Sequence, residues 1–212
     1  MEGRRDAGSC IESSVLSQAL SRRGLLRASL IPLGLAALGL PASVLAADRT
    51  IVAAARAGLQ RAGADVCYRD VVGVADFSQP SRTPRLHLVD LDGGRVETLL
   101  VAHGRGSDPA RTGWASYFSN APGSYATAKG DYLTGDYYVG HHGRSMRLVG
   151  LDPSNDNAER REIVVHCADY VGPQVVEAEG MLGRSEGCFA VSPTDLPRVL
   201  DRLGPGRLLI AS

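Results

Sequence analysis

Residues 162–192 read EIVVHCADYVGPQVVEAEGMLGRSEGCFAVS. Ile163, Val164 and Val165 form a continuous apolar run of the kind that makes a buried strand, and His166 falls at its end. A strand end facing a cleft holds a base rigidly. Further on, Cys188 stands directly after a glycine in a polar stretch, Gly183 to Gly187. A structural thiol sits among apolar neighbours, whereas a nucleophilic one needs an exposed bend, hydrogen-bond donors and a base. Gly187 allows a tight bend and close approach of a substrate. The N–H groups of Gly187 and Cys188 can then face a developing oxyanion. A histidine near the sulfur would take its proton and leave a thiolate–imidazolium pair. The segment between His166 and Cys188 is long enough to loop back and set the two side by side. The plain alternative is a glycine turn leading into a helix, with Cys188 as a small filler and His166 as a satisfied core residue.

Outward from this stretch the texture is that of short strands. Val71 to Phe77 reads as a strand and SQPSRTP (78–84) as a loop. RLHLVDL and RVETLLVAH flank Asp92-Gly93-Gly94, a hairpin signature. Asp131 to Val139, SMRLVGL (145–151) and GRLLIA (206–211) read as further strands. DRTIVAAARAGLQRAG (48–63) is helical, with Ile51, Val52, Ala55 and Leu59 on one face and Gly63 as its stop. Ser192-Pro193-Thr194-Asp195 has the cap, proline and acid that start a helix, and Gly204-Pro205 end it. The long stretch from Gly104 to Gly130 has the composition of a loop, and loops of that length in a compact domain carry function or move. Trp114, Tyr117 and Phe118 within it form either a lid or a packed anchor. The fold class is therefore mainly β with peripheral helices.

The first segment has a different origin. SRRGLLRASLIPLGLAALGLPASVLAAD (21–48) carries paired arginines, an apolar run and small residues before a cleavage site after Ala46 or Ala47. Ser21-Arg22-Arg23-Gly24-Leu25-Leu26-Arg27 has the twin-arginine export pattern. The apolar stretch from Leu30 to Leu40 is too short, and too rich in Gly and Pro, for a membrane span. The expected organisation is a signal at 1–46, a helix and linker at 47–70 and a catalytic domain at 71–212. The location is periplasmic, and no integral membrane segment remains after signal removal. Among 212 residues, 23 basic side chains balance 23 acidic ones, so nothing points to nucleic acid. Removal of the signal leaves Cys67, Cys167 and Cys188, an odd count that keeps at least one thiol unbridged in a monomer. A Cys67–Cys167 disulfide is one arrangement that would leave Cys188 single. His87 alternates with Leu86 and Leu88 and is expected on the solvent face. His103, His141 and His142 lack the spacing of a metal site, so no metal is expected.

VVHCADYV followed by GRSEGCFAV resembles the L,D-transpeptidase catalytic domain, whose motif is His followed by Ser/Thr-x-Gly-Cys. The resemblance is specifically to its murein branch. It extends through DFSQPSRTPRLHLVDL, VAHGRGS, FSNAPGS and GDYLTGDYYVGHHGRSMRLVGLDPSNDNAERREIVVHCADYV. It implies a β-sandwich with short peripheral helices and a cleft on one sheet. Cys188 would be the nucleophile and His166 the base. The Cys167 backbone carbonyl would orient the imidazole, and the Gly187 and Cys188 N–H groups would form the oxyanion hole. Ser185, Arg184, His142 and Tyr138 would bind substrate. The substrates would be peptidoglycan stem peptides that lose D-alanine to a Cys thioester, with a second stem peptide, a protein or water as acceptor. No cofactor would be required. Two departures stand out. Phe189-Ala190-Val191 follow the cysteine where the common form has an arginine, leaving Arg184, Arg160 or Arg161 to supply that cation. Glu186 stands where histidine is frequent, and its charge opposes a thiolate unless it points away or pairs with Arg184.

Overall fold

The computed structural model describes residues 42–212, with side chains from Asp48 onward. The paired arginines and the rest of the signal segment up to residue 41 lie outside the described residues. Along the chain come α1 (Ala42–Ala62), β1 (Val71–Ala75), β2 (Leu86–Asp90), β3 (Arg95–Leu99), β4 (Gly130–Gly140) and β5 (Gly143–Gly150). They are followed by β6 (Val164–Cys167), α2 (Pro173–Glu179), β7 (Phe189–Val191), α3 (Leu196–Leu203) and β8 (Leu208–Ala211). The strands form one continuous sheet in the order β3-β2-β1-β8-β4-β5-β6-β7.

That sheet is not flat. Leu86 and Leu88 of β2 share one core with Tyr132 of β4, Met146 and Leu148 of β5, Val165 of β6 and Phe189 of β7. Strands so far apart in the order can meet only if the sheet curls, as twisted sheets do. The chain just past β3 then reaches the opposite edge. Ala102 bridges Ala190 of β7, its N–H donating to the Ala190 carbonyl at 2.9 Å, and Gly104 bridges Ser185. The sandwich walls are two halves of one sheet, and its β7 edge is tied down by the bridge from Ala102. Within the core, the rings of Phe77, Tyr132 and Phe189 pack at 5.4–5.8 Å about Phe189. Val199, Leu200 and Leu203 of α3 complete this core.

α1 covers the other side of β1, β2 and β8. Its Ala55, Leu59 and Ala62 pack on Val72, Val74, Val89, Leu208 and Ile210. At Gly58 the helix comes so near the sheet that a Cβ would overlap the Ile210 side chain. Arg61 adds two bonds to the buried Asp131 carboxylate, at 3.0 and 2.8 Å. This corrects the expectation for His87. It does point away from Leu86 and Leu88, but toward the face α1 packs on, where it is half-buried and pairs with Thr98 Oγ1 at 2.9 Å.

Several boundaries differ from the sequence expectation, α1 among them, which starts at Ala42 and not at 48. β1 stops at Ala75 because Asp76 begins a turn, its carboxylate accepting the Ser78 N–H. The last helix starts at Leu196, and Ser192 caps the preceding turn by accepting the Asp195 N–H at 3.1 Å. Residues 173–179, read as connecting loop, form α2, a helix too short to show a periodic pattern.

Leu200 is fully buried and Arg198 on the same helix is half exposed. Urea unfolding of the purified domain should therefore show Leu200→Ala costing about 2–5 kcal/mol. Arg198→Ala should change stability by no more than about 1 kcal/mol despite its ion pairs with Glu97 and Asp195.

Candidate active site

The pairing of β6 with β7 builds the site. The strands run parallel, with Val165 opposite Phe189, His166 opposite Ala190 and Cys167 opposite Val191. One residue further back, that register sets Cys188 beside Val164. Alternation along the strands sends Val165, Phe189 and Val191 into the core. Val164, His166 and Cys188 instead line a single cleft of about 710 Å³. The intervening chain does loop back, through α2, to join them.

His166 is 2% exposed, and its Nδ1 lies 2.8 Å from the Cys167 carbonyl oxygen. A carbonyl only accepts, so Nδ1 carries the proton and Nε2 keeps a lone pair. The His142 ring, at the tip of the β4–β5 hairpin, stacks on the His166 ring at 4.2 Å and 25°. Burial pushes the His166 pKa down, although its bond to the Cys167 carbonyl pulls the other way. Burial also pushes the Cys188 thiol up, opposed by the Val164 N–H and the Arg161 charge and reinforced by Glu186 and Glu162. Both shifts favour the neutral forms. Burial therefore works against the thiolate–imidazolium pair expected from sequence, while the Cys167 carbonyl, the Val164 N–H and Arg161 work toward it.

The turn before Cys188 is tied by one hydroxyl. Ser185 Oγ donates to the Cys188 carbonyl at 2.7 Å and accepts the Gly187 N–H at 3.1 Å. Ser185 N–H donates to the His103 carbonyl, and Arg105 N–H to the Ser185 carbonyl. The Ser185 hydroxyl thus holds the turn while Ser185 lines the cleft, and the Gly187 N–H bonds to that hydroxyl. Gly187 itself has φ +119°, and a Cβ on it would lie 2.9 Å from both Ala126 O and Arg161 Nη2. Only glycine fits there.

The remaining expected residues fall in the cleft. Arg184, His142 and Tyr138 line it, as do Arg160 and Arg161. Arg184 donates to the Asp108 carbonyl, and Arg147 lies 4.4 Å above the Tyr138 ring. Glu186 pairs with Arg105 at 3.0 Å, not with Arg184, and Arg105 stacks on Tyr125 at 3.7 Å. The long loop does wall the cleft, through Pro122, Gly123 and Tyr125, residues that sequence reasoning missed. Its composition marked the loop as functional, but nothing in it ranked these three above the aromatic residues nearby. Trp114 and Tyr117 are exposed and absent from the cleft lining, while Phe118 packs on Phe77 at 6.4 Å as an anchor. His103 is buried behind the turn, bonded through Nδ1 to Arg85 at 2.7 Å. No disulfide joins Cys67 and Cys167; Cys67 is exposed, and Cys167 Sγ lies 3.7 Å from the His142 carbonyl. Among the described residues, no group of three or more His, Cys, Asp or Glu side chains is arranged to hold a metal.

A thiol raised by burial reacts slowly at acid pH. Alkylation of native protein with iodoacetamide, followed by peptide mapping, should give a Cys188 rate that climbs from pH 6 and shows no plateau by pH about 8.5, the ordinary thiol value. A plateau already complete at pH 6 would show a preformed ion pair.

Several solved structures resemble the chain in part. An L,D-transpeptidase from Mycobacterium smegmatis is 16% identical, with a TM-score of 0.40, over 68% of this chain and 58% of that one. One from Mycobacterium tuberculosis H37Rv is 18% identical, with a TM-score of 0.42, over 68% and 57%. One from Stackebrandtia nassauensis is 14% identical, with a TM-score of 0.41, over 74% and 64%. The chain thus spans less than two thirds of the length of these proteins. No curated protein sequence matches it. The sequence profile of the L,D-transpeptidase catalytic domain matches residues 46–211, a span that takes in most of α1 as well as the whole sheet. By that match over most of its length, the chain belongs to the L,D-transpeptidase catalytic domain family.

Proposed function

We propose that this protein is a periplasmic cysteine acyltransferase, an L,D-transpeptidase acting on peptidoglycan stem peptides through a Cys188 thioester. The observation that carries the reading is the placement of His166 and Cys188 on adjacent strands lining one cleft, with the Nε2 lone pair of His166 left for a proton. Cys188 Sγ attacks the carbonyl on the L-centre of the third stem residue as Nε2 takes the thiol proton. The tetrahedral adduct collapses, the C–N bond to D-alanine breaks, and the imidazolium protonates the leaving amine. An incoming amine then attacks the thioester carbonyl, His166 takes its proton, and the thiol is restored. The Cys167 carbonyl holds the imidazole in the tautomer this cycle needs.

The charge of the cleft suits a carboxylate-bearing peptide. Arg147, Arg160, Arg161 and Arg184 line it against Glu162 and Glu186, and Arg105 already pairs with Glu186. Ser185, Arg184, Tyr138 and His142 are the side chains we assign to the substrate walls. The acceptor is a second stem peptide, a protein amine or water, giving a crosslink, an attached protein or carboxypeptidase activity. Residues 1–46 act as a twin-arginine signal in this reading, 47–70 as a helix and linker, and 71–212 as the catalytic domain. Among the described residues, no helix is long and apolar enough to cross a membrane.

Mature protein incubated with a defined disaccharide-tetrapeptide should release D-alanine and yield dimers of matching mass. Loss of D-alanine alone would assign water as acceptor, and an unchanged substrate would leave a binding protein. His166→Ala and Cys188→Ala should each abolish turnover while the unfolding transition stays in place. Because the two act as a unit, the double variant should be no slower than either single one.

A further inference from the structure

Arg161 belongs to neither strand that carries the reacting pair; it lies in the turn just before β6. Its guanidinium is held by two carbonyls of the long loop, Nη1 donating to Ser119 O at 2.8 Å and Nη2 to Ala126 O. Both partners are neutral, so the positive charge is fixed in place without being cancelled. A guanidinium has five N–H groups, and these bonds occupy two. The same Nη2 would lie 2.9 Å from a Cβ on Gly187, which sets the cation against the backbone of the nucleophile turn. Arg161 and Cys188 also line the same cleft.

One of the two N–H groups expected to face the oxyanion is occupied within the turn. Ser185 Oγ holds the Gly187 N–H, so that group is committed when negative charge develops on the substrate oxygen. The charged side chains around the thiol work in opposite directions. Arg161 favours a thiolate, whereas Glu186 and Glu162 disfavour it. A cation that is half-buried, held by carbonyls and left with spare donors stabilises developing charge more strongly than one free in water.

We propose that Arg161 is a catalytic residue of the acyl transfer, its guanidinium stabilising the negative charge that forms first on Cys188 Sγ and then on the oxygen of the tetrahedral adduct. The inference rests on Cys188 being the nucleophile. As the S–C bond forms, the carbonyl π pair moves onto oxygen beside the guanidinium. As the C–N bond breaks, that pair returns, and the amine takes its proton from His166. Arg161 itself neither gains nor loses a proton.

The test compares wild-type protein with Arg161→Gln and Arg161→Lys on the disaccharide-tetrapeptide. It measures kcat, KM, melting temperature and the pH profile of Cys188 alkylation. Loss of an oxyanion-type donor lowers kcat by about 10²–10³, so Arg161→Gln should fall in that range with KM little changed. Its alkylation profile should move to higher pH, and Arg161→Lys, which keeps the charge, should recover part of both. A kcat equal to wild type in Arg161→Gln overturns the proposal. So does a kcat loss with an unmoved alkylation profile and a lowered melting temperature, because that marks a loop clamp only. Turnover surviving in Cys188→Ala would instead remove the nucleophile reading, and Arg161's role with it.

Discussion

The parallel pairing of β6 with β7 is the constraint on which the rest of this molecule depends. Two short strands, four and three residues long, put His166 and Cys188 beside one cleft and bury Val165, Phe189 and Val191 behind them. A parallel pair needs a crossover connection, and α2 with its flanking loops supplies it. The pairing also sits at the sheet edge, where Ala102 and Gly104 run along β7 and the nucleophile turn. The curl of the sheet brings that segment round, so overall topology and site geometry are one problem.

Behind the turn lies a buried polar network that fixes its backbone. Arg85 is fully buried and donates to Val101 O, Gln79 O and His103 Nδ1. Its pKa is pushed down to about 10 by desolvation, and that of His103 to about 4, with burial again the larger cause and the Arg85 charge the next. His103 is accordingly neutral, its Nε2 3.6 Å from the Asp108 carboxylate. The carbonyls of His103 and Asp108 face forward and accept Ser185 N–H and the Arg184 guanidinium. A loop that is mostly coil is tied at this point by hydrogen bonds from within, although the buried His103 Nε2 makes none.

The electrostatics of the cleft are those of a buried site. Burial pushes the His166 pKa down and the Cys188 thiol up, so desolvation acts against the charged form of each. Glu186, which stands next to Gly187 in sequence, is drawn off by Arg105, itself stacked on Tyr125. Glu186 and Arg161 both line the cleft with Cys188 and act on its thiol in opposite directions.

Sequence by itself determined the mainly β class, the hairpin about Asp92-Gly93-Gly94, the helical face of Ala55 and Leu59, and the identity of His166 and Cys188 as the residues to watch. Those features are local: alternation, turn chemistry and glycine placement act over a few residues, and the motif lies within one stretch of chain. The bonds from Ser185 to Gly187 and Cys188, and the pairing of Glu186 with Arg105, were not legible in the same way. Each depends on where a hydroxyl, a carbonyl or a guanidinium from elsewhere in the chain comes to rest. Arg161 lies 27 residues before Cys188 and is held by carbonyls at 119 and 126, contacts that no periodicity encodes. Only the tertiary structure decided which cation stands beside the Cys188 turn, because long-range hydrogen bonds and burial, not spacing along the chain, set the charge balance there.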